Sequence, residues 1–166
     1  MRTDQSNSAE QYVCKYADMV YRLALVNMKN RQEAEDVFQD VFLRLVENLH
    51  KLENEEHIKA WLIRVTINCC KTRFRSAWRK RTAPLEAAGD PAQEPYEERG
   101  EVYDAVLKLP EKYRNVIHLF YFEDMAIRQI SVVLKTRENT VKSLLSRGRT
   151  MLKTALGEEV IDVCGV

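Results

Sequence analysis

The stretch from Phe122 to Leu152, FEDMAIRQISVVLKTRENTVKSLLSRGRTML, constrains the fold more than any other part of the chain. Ile127, Ile130, Val133 and Leu134 give one short amphipathic helix, and a polar break follows from Lys135 through Asn139. Val141, Leu145, Gly148 and Leu152 then recur at steps of four, three and four, which sets them on one face of a second helix. Lys142, Ser143, Ser146, Arg147 and Arg149 lie mostly off that face. A helix that buries one stripe and offers hydroxyl and guanidinium groups beside it suits the DNA major groove. Asn139 is expected at the turn, where a left-handed residue is needed and Asn is tolerated. The same spacing also occurs in helical cores that never meet DNA, so the remainder of the chain has to decide.

Among 166 residues there are only five Gly and four Pro, and Pro84, Pro91 and Pro95 fall within one short stretch. The rest carries Leu, Val, Ala, Glu, Lys and Arg at helical spacing, so the fold class is all-α, with an apolar content of 45% that is ample for a core. A net charge of +1 argues nothing about nucleic acid, but its distribution does. Residues 58–81 hold eight basic residues and no acidic one, whereas residues 32–56 hold eight acidic residues against two basic ones. Either block alone is what a solvated helix face looks like; together they suggest two faces with different partners. No apolar run approaches the roughly 20 residues of a membrane span. The polar opening MRTDQSNSAEQ is unlike a signal peptide, and the expectation is a cytoplasmic protein with no membrane insertion of its own. Cys14, Cys69, Cys70 and Cys164 lack metal-ligand spacing, and on a helix the adjacent Cys69 and Cys70 diverge by roughly 100°. At least one of that pair is expected to be a small buried residue.

Along the chain, Tyr12, Val13, Tyr16, Met19, Val20, Leu23 and Ala24 predict a first helix ending near Lys29–Asn30. Asn30 and Glu33 have the spacing of a capping box for a second helix. Its inward residues are expected to be Ala34, Val37, Phe38, Val41, Phe42, Leu45, Val46 and Leu49, and its outer ones Glu35, Asp36, Gln39, Asp40, Leu43 and Arg44. A short acidic loop, Glu53–Glu56, precedes a third helix with Ile58, Trp61, Leu62, Val65 and Cys69 at core spacing. Residues 82–100, with three prolines, two glycines and five acidic residues, form a linker without periodicity. Beyond it come a short helix with Val102, Ala105, Val106 and Leu109, then another opened by Pro110 and facing inward with Tyr113, Val116, Ile117 and Phe120. The expected division is 8–81, a linker at 82–100, 101–156, and a short tail at 157–166.

Asn68, Lys71, Arg75, Trp78 and Arg79 interleave cations with an aromatic ring. Cations neutralise phosphates and a ring stacks on an unpaired base, so a melted DNA strand would suit this cluster. The other reading has Phe74 and Trp78 capping the core of the first domain. No enzymatic constellation emerges: His50, His57 and His118 are dispersed, the glycines never cluster into a phosphate loop, and no metal or cofactor is called for.

Three motifs in order, AEDVFQDVFLRL at 34–45, KAWLIRVTINCCKTRFR at 59–75 and LPEKYRNVIHLFYFEDMAIRQISVVLKTRENTVKSLLSRGRTMLK at 109–153, resemble the extracytoplasmic-function (ECF) class of bacterial RNA polymerase sigma factors. The resemblance implies a region 2-like bundle and a region 4-like helix-turn-helix domain, with core RNA polymerase and promoter DNA as partners and an anti-sigma factor as a frequent third. It assigns Asp36, Gln39, Asp40, Leu43 and Arg44 to docking on the polymerase clamp helices. It gives Glu56, His57, Asn68, Lys71, Arg75, Trp78 and Arg79 to the minus-ten element. Arg137, Asn139, Thr140, Lys142, Ser143, Ser146, Arg147 and Arg149 fall to the minus-thirty-five duplex. One departure is Leu144, where the family's signature usually carries a basic residue. The competing expectation is a free-standing helix-turn-helix regulator whose first domain dimerises or senses. An enzyme using the carboxylates of the second helix is a weaker third.

Overall fold

A computed structural model describes residues 2–81 and 100–157; the linker expectation at 82–99, the tail from 158 onward and Cys164 lie outside the described residues. The chain divides into two units, residues 1–94 and 95–166.

The first unit is built from α1 (Arg2–Met28), α2 (Arg31–Asn48) and α3 (Glu55–Arg81), each packed against the other two. Their apolar stripes meet in a core where Val20, Leu23, Ala24, Val26, Val37, Val41, Leu45, Leu62 and Ile63 have no exposed surface. Full burial of each Leu or Ile contributes about 1.5–3 kcal/mol relative to exposure. Helix α1 stops at Lys29, whose φ of 58° is left-handed, and the chain swings into Asn30 in extended geometry. Asn30 Oδ1 accepts the Glu33 N–H at 3.1 Å, which is the cap expected from the spacing. At the next turn Asn54 Oδ1 accepts the His57 N–H at 2.8 Å, so α3 begins at Glu55 and takes Glu55 and Glu56 of the expected acidic loop into its first turn. Tyr16 donates its hydroxyl to Glu55 Oε1 at 3.0 Å, and Lys15 pairs with the same carboxylate, tying that turn to α1. Buried polar groups are served locally: Asn27 Nδ2 donates to Leu23 O and Thr66 Oγ1 to Leu62 O.

One apolar expectation for this unit changes and another holds. Val46, placed inward by periodicity, is 59% exposed, on the side of α2 that also carries the exposed Leu43 and away from the stripe that meets α1 and α3. Cys69 and Cys70 are both buried thiols, as expected for at least one of them. Burial pushes the Cys69 thiol above its ordinary pKa.

The second unit contains α4 (Glu101–Leu107), α5 (Glu111–Ile117), α6 (Ile127–Val133) and α7 (Glu138–Leu156), the last packed against the other three. Helix α5 widens into a π-turn at His118–Phe122. There His118 Nε2 lies 3.2 Å from Glu123 Oε1, and its ring stacks on Phe122 with centroids 5.4 Å apart. The left-handed residue of the helix-turn-helix is Lys135, with φ 53°, and not Asn139, which sits in the first turn of α7. Lys135 closes α6 with the Thr136 N–H donating to Ser131 O at 2.9 Å, the six-to-one bond of a Schellman ending. Gly148 lets α7 approach α5 closely: a Cβ there would stand 2.9 Å from Ile117 Cγ1 and 3.1 Å from its Cδ1.

Candidate nucleic-acid and partner-docking surfaces

Three surfaces collect the residues singled out by the sequence. On α2, steps of about 100° per residue place Asp36, Gln39, Asp40, Leu43, Val46 and Glu47 within a sector of about 120°, with Arg44 at its edge. Leu43 is 64% exposed, so with Val46 the face joins an apolar pair to acidic neighbours. The carboxylates are not independent. Arg73 on α3 reaches across with Nη1 3.2 Å from Glu33 Oε2 and 3.5 Å from Asp36 Oδ2, and Nη2 3.2 Å from Asp40 Oδ2. Partial burial opposes the charge on Arg73. Its hydrogen bonds to Asp40 and Glu33 and the field of Asp36 outweigh that cost, and its pKa lies above the ordinary arginine value. Arg73 therefore leaves the basic block and joins the acidic face.

The other side of α3 carries the second surface. His57, Arg64, Asn68, Lys71, Arg75, Trp78 and Arg79 fall within a sector of about 100°, roughly opposite Arg73. Phe74 and Trp78 are 63% and 62% exposed, so neither closes the core. Both residues are largely exposed on the side of α3 that carries Arg75 and Arg79. Glu56 is exposed in the first turn of α3, and the neighbouring His57 Nδ1 accepts the Glu53 N–H at 3.4 Å.

The third surface lies on α7. Asn139, Thr140, Ser143, Ser146 and Arg147 are exposed and share one sector with Thr150, which the sequence reading did not select. The Thr150 hydroxyl donates to Ser146 O at 3.0 Å. Val141, Leu145, Gly148 and Leu152 are buried on the opposite side, as their spacing required. Arg137 is exposed at the N-cap position, and Leu144 is half-buried. Arg147 hydrogen-bonds the Tyr113 hydroxyl, which with Lys112 close by lowers the pKa of that phenol despite its burial. Arg149 is half-buried on the flank that also bears the exposed Lys142 and Lys153. Its Nε donates to the Tyr121 hydroxyl at 2.6 Å, and its guanidinium lies 5.5 Å from the Phe120 ring centroid and 5.6 Å from that of Tyr121.

Known proteins fall into line with this division. A sequence model of sigma-70 region 2 matches residues 13–80, and one of sigma-70 region 4 matches residues 99–152. The ECF RNA polymerase sigma factor SigW of Bacillus subtilis is 28% identical over 158 residues, covering 85% of this chain and 84% of that one. RNA polymerase sigma factor SigV of the same organism is 24% identical over 163 residues, covering 96% and 98%. Among solved structures, the sigma factor RpoE in complex with the anti-sigma factor NepR from Bartonella quintana has a TM-score of 0.74 at 21% identity, over 90% of this chain and 97% of that one. CnrH in complex with the cytosolic domain of CnrY gives 0.67 at 22% identity, over 95% and 90%. These two likenesses speak for the fold.

Proposed function

The chain belongs to the ECF class of RNA polymerase sigma factors, and we propose from that premise how its three surfaces divide the work of initiation. As a sigma factor it binds core RNA polymerase, directs it to promoters and helps open the DNA. In this reading residues 8–81 form the polymerase-docking and minus-ten domain, 82–100 the connecting segment, 101–156 the minus-thirty-five domain and 157–166 a tail.

Asp36, Gln39, Asp40, Leu43 and Arg44 meet the polymerase, with Val46 extending the apolar part of the face. Glu56, His57, Asn68, Lys71, Arg75, Trp78 and Arg79 hold the opened minus-ten strand, cations on phosphates and Trp78 against a base. On the duplex, Arg137, Asn139, Thr140, Lys142, Ser143, Ser146, Arg147 and Arg149 present α7 to the major groove, with Arg147 set to read a base edge. The protein acts as a regulatory factor and contributes no catalytic chemistry of its own. Its workplace is the cytoplasm, where polymerase and promoter are found; no described helix is long and apolar enough to cross a membrane. An anti-sigma factor belongs among its partners, as it does for the two solved relatives.

The observation that carries this reading is the polarity of the first unit. One edge of α3 hands Arg73 to an acidic, partly apolar face on α2, and the opposite edge exposes a basic and aromatic stripe. A dimerising module in a free-standing regulator needs no second face of that kind. The test is promoter-dependent transcription by purified core polymerase with and without this protein, together with co-purification of the two. Failure to associate with core, combined with tight sequence-specific duplex binding by the protein alone, would favour the free-standing regulator.

A further inference from the structure

Arg149 is the most enclosed cation of α7. Lys142 and Arg147 are exposed, whereas Arg149 is half-buried against the π-turn that ends α5. Phe120 and Tyr121 meet edge to face with centroids 4.9 Å apart, and the guanidinium lies over both rings. Its Nε is taken by the Tyr121 hydroxyl at 2.6 Å. Among the described residues no acceptor engages either Nη group, so the two-pronged end of the fork is left for something else. Lys142 and Lys153 share this flank at about 100° per residue, with Glu138 at its margin one turn before Lys142.

We propose that Tyr121, with Phe120 beneath the guanidinium, is a positioning residue that presents Arg149 as a phosphate seat on the edge of the recognition helix. The inference rests on the reading of α7 as the duplex-binding helix. An unrestrained arginine must lose the freedom of a long side chain when it grips a phosphate. Here Nε is anchored by the Tyr121 hydroxyl and the guanidinium lies beside two rings, so the remaining Nη pair is preorganised for a bidentate contact with two phosphate oxygens. The position of Arg149, roughly 110° from the centre of the exposed sector, suits a backbone contact better than a base edge. Arg147 and Arg149 therefore divide their work: one discriminates sequence, the other adds grip that every sequence shares.

The experiment measures binding of the full-length protein to a mixed-sequence 30-base-pair duplex by fluorescence anisotropy across a salt series. Loss of one phosphate contact lowers the slope of log affinity against log salt by about 0.9. Arg149→Ala should show that decrease. Tyr121→Phe keeps the ring and removes only the hydroxyl; it should lower the slope in the same direction, yet add nothing in an Arg149→Ala background. Arg149→Lys should keep part of the slope and lose its dependence on Tyr121. A merely structural tyrosine would shift the thermal midpoint and leave the slope alone, which would overturn the proposal. An unchanged slope in Arg149→Ala would instead remove Arg149 from the DNA contacts. A full effect in Arg149→Ala with none in Tyr121→Phe would refute the positioning role alone.

Discussion

Replacing Gly148 by Ala sets two effects of known sign against each other. Helix propensity alone favours Ala over Gly by about 1 kcal/mol in a helix interior. Against this, the new Cβ would stand 2.9 Å from Ile117 Cγ1 and 3.1 Å from Cδ1, with Tyr113 Cβ at 3.7 Å. Ile117 is fully buried, and as a β-branched residue within a helix it has essentially one χ1 rotamer, so it has nowhere to retreat. Overpacking of this kind costs about 1–3 kcal/mol, so with contacts this short the net effect is a loss of about 1–2 kcal/mol. In a unit of this size each kcal/mol moves the midpoint by about 4–8 °C. The assay follows from the placement of the fluorophores. The chain has two tryptophans, Trp61 and Trp78, and both lie in the first unit. Tryptophan fluorescence should therefore melt as in the parent, while a component of the far-ultraviolet dichroism moves down by about 4–16 °C. A midpoint for that component that stays put or rises would refute the argument, because it would mean that α5 and α7 have room to separate at no cost.

Three further outcomes are expected. Asp36→Asn with Asp40→Asn should abolish co-purification with core polymerase while costing no more than about 1 kcal/mol per exposed pair; Lys at both positions should also lower the melting of the first unit, since it sets two cations against Arg73. Retained co-purification in the Asn pair would count against the docking face. Trp78→Ala should melt within about 0.5 kcal/mol of the parent, given its exposure, and should lose permanganate reactivity of unpaired thymines in the promoter bubble. Normal opening with an unchanged melt would remove its stacking role. For Cys69 the folded state holds the proton more tightly than the unfolded chain, so its contribution is full below the ordinary thiol pKa of 9.0 and is lost as pH rises through the folded value. Relative to Cys69→Ala, the parent should lose urea resistance as pH rises above about 9, and parallel midpoints would rule the effect out.

Much of this architecture is legible because helical cores announce themselves locally. The four-three-four spacing of Val141, Leu145, Gly148 and Leu152 is buried as its period demands, and Asn30 caps α2 as its distance from Glu33 suggests. What escapes a reading along the chain is decided between helices. Arg73 sits in a run of cations, yet its partners lie 33 and 40 residues away, and only the packing of α3 on α2 brings them together. Val46 obeys the apolar period and still faces solvent, because periodicity sets the direction of a side chain and not the width of the surface that meets it. The left-handed turn falls on Lys135, since the Schellman ending of α6 fixes its place at the start of the polar break, and Asn139, four residues further on, enters the first turn of α7. The π-turn has no period of its own, so Tyr121 could not be matched to Arg149 before the fold was known.

The reach of Arg73 across to Glu33, Asp36 and Asp40 bears on how modular the first unit is. Grafting α2 alone onto another scaffold would transplant three carboxylates without their counter-ion, and the copied face would be both more negative and less fixed than the original. A chimera that exchanges α3 would have the opposite fault, since it removes the cation from that acidic face. Recombination that preserves function has to move the two helices as one cassette, with its seams in the turn before α2 and beyond Arg73.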